Sequence, residues 1–307
     1  MKQIVVAVRL PGARIASGVP VWLRTRHSPS ASRTESMPTT THCTPKASAI
    51  SLTNVGRSSA GVLTEILSAP ACSTARAVSP SKPLTPVAGV ALIDRVILAA
   101  RDGGASAFTV VTGHEGEALE AHLAQAARTY RVKITCVRTD DWSRPNGHSV
   151  LTGAAAVGRE RHLLMMADHL FDPALVASVI AAPAAALVLG VDRRLDNPLV
   201  DLDDVTRVRT AADRDGDRIV AIGKHLPDYD CYDTGVFAVD GRFHDALRAS
   251  IISGGAGSIS AGVEALAQSG DARVVDVGNA WWLDVDDPRA LAQAEDALAG
   301  RAHGLAA

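Results

Sequence analysis

The sequence predicts an α/β protein: a mostly parallel sheet flanked by helices on both faces, with a small β-hairpin subregion. Three observations carry this. From Lys82 onward, short apolar or β-branched runs alternate with segments of helical periodicity. The links between them are short, which favours parallel strands joined by crossover helices. Asp215-Gly216 then sits between two alternating segments as a hairpin turn signal.

Residues 1–78 are rich in Ser, Thr, Pro and Arg and form an atypical region, expected to be loop-rich or disordered. Two short apolar runs inside it, 4–8 and 62–67, are candidate strands. Residues 79–301 are expected to form one domain. Residues 92–100 read as an amphipathic helix, 108–112 as a buried strand, 115–130 as a helix and 132–137 as a strand. A small-residue helix over 147–157 precedes the apolar strand 162–167, which ends at Asp168. Residues 173–182 form a helix with Pro173 in its first turn, and 185–191 are again a strand. Strands at 205–211 and 218–222 flank the Asp215-Gly216 turn, and 234–239 is a further strand. Helices at 243–252 and 258–269, short strands at 273–277 and 281–285, and a closing helix at 288–299 complete the order. Ligands in such sheets bind beyond the carboxyl ends of the strands.

The bulk properties narrow the function. The 307 residues carry a formal net charge of −2, so nothing in the balance attracts nucleic acid or an anionic membrane. No apolar run is long enough to span a bilayer. Cys43, Cys72, Cys136 and Cys231 are widely spaced, which fits reduced thiols and a cytoplasmic location better than a zinc or disulfide framework.

Five segments can carry chemistry. Lys82, beside Pro83 in a loop, can meet a polyphosphate as a point charge, although such lysines are more often merely solvated. Asp168 follows a buried strand at the ligand-binding edge, where a carboxylate can hold Mg²⁺ or simply cap a helix. Asp284, Asp286 and Asp287 lie within four residues and repel one another unless neutralised. One of the three is expected to cap the helix starting near Pro288, leaving Asp284 for another task. Asn146-Gly147 opens a helix, where a small residue and free N–H groups admit a ligand. Lys224 and the segment Asp233-Thr234-Gly235 are candidate acceptor contacts.

In this order the segments KPLTPVA (82–88), VTG (111–113), NGHSVL (146–151), MADH (166–169), VTRV (205–208), IGK (222–224), YDCYDTGVF (229–237) and WLDVDD (282–287) resemble the nucleotidyltransferases. The resemblance covers about residues 79–300 and is closest to the CTP:inositol-1-phosphate cytidylyltransferases. It implies a Rossmann-like fold of the nucleotide-diphospho-sugar transferase type. The implied reaction transfers CMP from CTP to a phosphorylated polyol such as inositol-1-phosphate and releases pyrophosphate. It assigns Lys82 and Asp168 to catalysis, and Lys82, Thr112, Asn146, Gly147 and Asp168 to the nucleotide. Lys224, Asp233, Thr234 and Gly235 go to the acceptor, and Asp168 and Asp284 to Mg²⁺. A separate membrane CDP-alcohol phosphotransferase would be a natural consumer of the product.

The resemblance has a gap. The family opens with a strand and a glycine-rich loop that cradles the triphosphate. Here no glycine lies between Gly61 and Gly89, and the other candidate, residues 8–14, has only Gly12. A catalytically silent nucleotidyltransferase-like binding subunit is therefore an alternative. A phosphonate alcohol, which offers the same attacking oxygen, or another sugar phosphate is the alternative acceptor. A dehydrogenase is disfavoured, because no G-x-G-x-x-G follows a strand.

Overall fold

The computed structural model describes residues 5–9 and 81–304. The expected disorder of 1–78, apart from 5–9, and the strand expected at 62–67 lie outside them.

The described chain runs through β1 (Val5–Arg9), a 3-10 turn (Lys82–Leu84), β2 (Pro86–Val87), β3 (Val90–Ala91) and α1 (Leu92–Asp102). There follow β4 (Ala107–Thr112), α2 (Gly116–Tyr130), β5 (Lys133–Arg138), α3 (Asn146–Val157), β6 (His162–Met166), β7 (His169–Phe171) and α4 (Pro173–Ala181). The second half contains β8 (Leu187–Asp192), β9 (Arg207–Ala211), β10 (Arg218–Gly223), β11 (Cys231–Val239), α5 (Gly241–Ile252), α6 (Ile259–Gln268), β12 (Ala272–Asp276), β13 (Trp282–Asp284) and α7 (Pro288–Gly304).

Nine strands form one sheet in the order β5-β4-β1-β6-β11-β8-β12-β10-β9, and β9 also pairs with β11. The pairings set β4, β5, β6, β8, β9 and β12 running one way, against β1, β10 and β11. Two small ribbons, β2–β3 and β7–β13, stand beside it.

β6 shows why the sheet is covered on both faces. All five of its residues are buried. Leu163 and Met165 join Ile93, Ile97, Leu119 and Val176 on one side. Leu164 and Met166 join Val150, Phe243, Leu247 and Val263 on the other. The period-2 alternation of a strand thus feeds two apolar layers from one run. Each large side chain so buried contributes roughly 1.5–3 kcal/mol.

Helix starts follow local chemistry. The Asp172 carboxylate accepts from Ala174 N ahead of α4, the Asp240 carboxylate from Arg242 N ahead of α5, and the Ser258 hydroxyl from Ala261 N ahead of α6. A third apolar cluster, Val87, Leu92, Leu170, Leu283, Val285 and Leu291, fastens the β7–β13 ribbon to α1 and α7. That cluster fixes the position of the acidic segment after Trp282.

The sheet is mixed rather than mostly parallel, since among the described residues only β4–β5 and β8–β12 pair in parallel. The direction of β1 is the departure that bears on the site. It occupies the slot between β4 and β6 but runs antiparallel to both, with Val5 opposite Met166 and Arg9 opposite His162. Its carboxyl end therefore lies at the sheet edge opposite Asp168. The candidate glycine loop at residues 8–14 is described only as far as Arg9.

Candidate active site

The carboxyl ends of β6 and β8 and the amino end of β11 meet at one edge of the sheet, because β11 runs opposite to its neighbours. A cavity of about 780 Å³ opens there. Its walls include Asn146, His169, the 198–206 loop, Lys224, Asp233, Gly235 and the 282–287 segment.

Asp168, only 6% exposed, lies just past the end of β6, next to the lining residue His169. Lys82 donates from Nζ to its Oδ2 at 2.8 Å, and the His169 Nδ1 lies 3.0 Å from its Oδ1. Burial alone would raise the Asp168 pKa, but His169 and Lys82 outweigh it and hold the carboxyl far below the usual range. Burial likewise works against the charge on Lys82, and Asp168 and Asp286 more than restore it, so its pKa is raised. The ribbon pairing of β7 with β13 sets Asp284 opposite His169, whose Nδ1 lies 3.5 Å from Asp284 Oδ1.

Asp168, His169 and Asp284 each offer a ligand atom, all within 4.8 Å of one another. Two hard carboxylates and an imidazole on rigid strand ends fit a divalent cation. Asp204, Asp284 and Asp286 form a second such group, sharing Asp284. Asp287 takes the expected capping role, accepting from Ala290 N at 2.7 Å. Asp286 instead pairs with Lys82.

Not every residue expected at the site reaches it. Thr112 is fully buried on β4 and its hydroxyl donates to Glu120, so its side chain does not face the cavity. Thr234 is also fully buried, and its hydroxyl donates to Gly190 O at 2.8 Å, so it braces β8 rather than an acceptor. Gly147 does not line the cavity. A Cβ there would lie 2.4 Å from Gly257 O, so its smallness seats α3 against the start of α6. Asn146 does line the cavity, with Oδ1 accepting from Ile259 N at 2.9 Å. Lys224 lines it while paired with Asp204. Asp233 lines it and accepts from Gly235 N. Gly235 has φ +76°, and a Cβ would come 2.4 Å from the His169 ring. Only glycine allows that backbone turn and that close imidazole together.

Sequence reasoning missed His169, Asp192 and Asp204. Asp192 is wholly buried and accepts from Arg194, Asn197 and Trp282 Nε1. Burial raises its pKa, while Arg194 and Trp282 bring it below the ordinary value. It thereby fixes Trp282, which stacks on His169 with planes 15° apart. The signal for Asp192 was present, an aspartate ending an apolar strand as Asp168 does.

A family model described as a MobA-like NTP transferase domain matches residues 73–259. The chain belongs to the MobA-like NTP transferase family. Within that family, it is 34% identical over 223 residues to a protein of Rubrobacter xylanophilus named bifunctional IPC transferase and DIPP synthase. That alignment covers 71% of this chain and 48% of the relative. A protein of the same name from Archaeoglobus fulgidus is 29% identical over 52% of this chain and 29% of its own length. The NTP transferase chain thus spans less than half the length of both relatives. In fold it is similar to the inositol-1-phosphate CTP transferase from T. maritima, with TM-score 0.62 and 23% identity over 70% of this chain and 84% of that one. Among the described residues, no helix is long and apolar enough to cross a membrane.

Proposed function

We propose that this NTP transferase moves CMP from CTP to inositol-1-phosphate, or to a closely related phosphorylated polyol, and releases pyrophosphate. The observation that carries the reading is the convergence of Lys82, Asp168, His169 and Asp284 at one sheet edge, where His169 and Asp284 line a cavity of about 780 Å³. The name of the structural neighbour, an inositol-1-phosphate CTP transferase, supports CTP and the inositol acceptor.

In this reading a phosphate oxygen of the acceptor bonds to the α-phosphorus of CTP as the bond to the β-phosphate oxygen breaks. The acceptor is already anionic at neutral pH, so no residue must remove a proton. Lys82 moves to the departing phosphates, and Asn146 at the start of α3 lies by the base and ribose. Lys224, Asp233 and the backbone at Gly235 hold the acceptor, which fixes attacking and leaving oxygens in line. Asp168 and Asp284, with His169 beside them, would hold Mg²⁺, which would supply positive charge against the phosphates. The product is a substrate for a CDP-alcohol phosphotransferase, and the protein works in the cytoplasm.

Phosphorus NMR of the full chain with Mg²⁺, inositol-1-phosphate and each of the four NTPs in turn tests this. A new diphosphate diester with CTP alone is expected. A product only with another NTP, or only with a phosphonate alcohol, would replace the substrate assignment.

One observation favours a second reading. The carboxyl end of β1 lies at the edge away from Asp168 and Lys82, whereas the family's glycine-rich loop follows its first strand. A chain that binds nucleotide without turning it over would give no diester but would still bind CTP in equilibrium dialysis.

A further inference from the structure

Three carboxylates follow Trp282, and each has a different engagement. Asp287 caps α7, Asp284 faces His169 across the β7–β13 ribbon, and Asp286 pairs with Lys82. Lys82 therefore joins two separate elements, the end of β6 through Asp168 and the end of β13 through Asp286. Its Nζ donates to Asp168 Oδ2 and Asp286 Oδ1, and each of these aspartates also belongs to a group that could hold a divalent cation.

We propose that Lys82 is the resident counter-ion of this site in the nucleotide-free protein. Asp286 is the positioning residue that holds it there, and a divalent cation binds well only after a polyphosphate has drawn the ammonium away. This rests on the nucleotide reading above and deepens it.

The physical reason is charge balance. Asp168, Asp284 and Asp286 gathered at one edge need positive charge, and Lys82 supplies it from within the chain. An ammonium and a dication sharing the carboxylate of Asp168 repel one another at short range in a partly buried site. Lysine is a compact charge on a flexible four-carbon stem, so it can change partners without moving the backbone. The phosphates of a nucleotide offer that second partner. Metal loading is thereby coupled to nucleotide binding, and the free protein is kept from filling its site with a cation alone.

Mn²⁺ titration of the full chain without nucleotide, followed by the paramagnetic resonance of free Mn²⁺, tests this. Weak binding is expected for the wild type and for K82R, which keeps the charge. Binding about tenfold tighter or more is expected for K82Q. K82M, which keeps the stem, gives the same gain if K82Q does not fold. The gain should vanish in K82Q/D168N. The proposal is overturned if the neutral variants bind Mn²⁺ no tighter than the wild type, or if the gain survives in the double variant. Turnover is not read, so a chain without transferase activity still answers. Loss of the diester product with the Mn²⁺ pattern intact would count against the transferase reading and not against this one.

Discussion

At the scale of single residues, the site depends on close approaches more than on the number of charges. Gly235 shows this. Its φ of +76° and the 2.4 Å between a built Cβ and the His169 ring leave no room for a side chain. Gly235→Ala is expected to cost about 1–3 kcal/mol of stability and to displace His169. Urea unfolding measures the first effect, and an unchanged midpoint would contradict it. Lys82, Asp168 and Asp284 were legible in the sequence because each follows or precedes a recognisable strand or motif. Thr112 and Thr234 misled for a physical reason. Both lie in motif segments, but strand alternation turns their side chains inward, to Glu120 and to Gly190 O. Residue type and motif do not reveal which face of the pleat a threonine occupies until the register is known.

At the scale of elements, two junctions make specific demands. The first is the meeting of α3 with α6. Gly147 N donates to Gly257 O, and Asn146 Oδ1 accepts from Ile259 N. Gly147→Ala drives a methyl into Gly257 O and is expected to cost about 1–3 kcal/mol, read by thermal unfolding. The second is the packing of α5 on β6. His244 is buried on α5, its ring centroid 5.1 Å from that of His162 on β6. Its Nε2 has no hydrogen-bond partner among the described residues. Burial, and then the charge of His162, Arg248 and Arg159, push its pKa down to about 4. The neutral ring suits the fold, whereas the unfolded chain protonates near pH 6.5. Stability from this residue is therefore complete above pH 6.5 and is lost as pH falls through 4, by about 3 kcal/mol. His244→Phe is expected to flatten the fall in melting temperature between pH 6.5 and 4. An equally steep fall in the variant would contradict the assignment. Most element positions were legible, because apolar periodicity is strong from residue 92 onward. The β2–β3 and β7–β13 ribbons were not read as such, since strands of two or three residues carry too little pattern.

At the scale of the whole molecule, nine strands share one sheet, and its central strands carry both the stability and the site. Phe237 on β11 is 2% exposed and sits two strands from β1. Phe237→Ala is expected to cost about 3–5 kcal/mol, measurable by denaturant unfolding. The α/β class and the carboxyl-edge site were legible because Asp168, Lys224 and Asp284 sit at or just past strand ends. The reversed direction of β1 was not, because an apolar run such as Val5–Arg9 has no intrinsic polarity. Only its pairing shows that its carboxyl end faces away from Asp168. The central claim is that Asp168, held by Lys82 and His169, serves nucleotidyl transfer in this chain. Pyrophosphate release from CTP in the presence of inositol-1-phosphate and Mg²⁺, compared between the wild type and Asp168→Ala, tests it most directly. Release by the wild type, lowered about 100-fold or more in the variant, is the expected result. Equal release from both chains would contradict the assignment of Asp168, and no release from either would contradict the transferase reading itself.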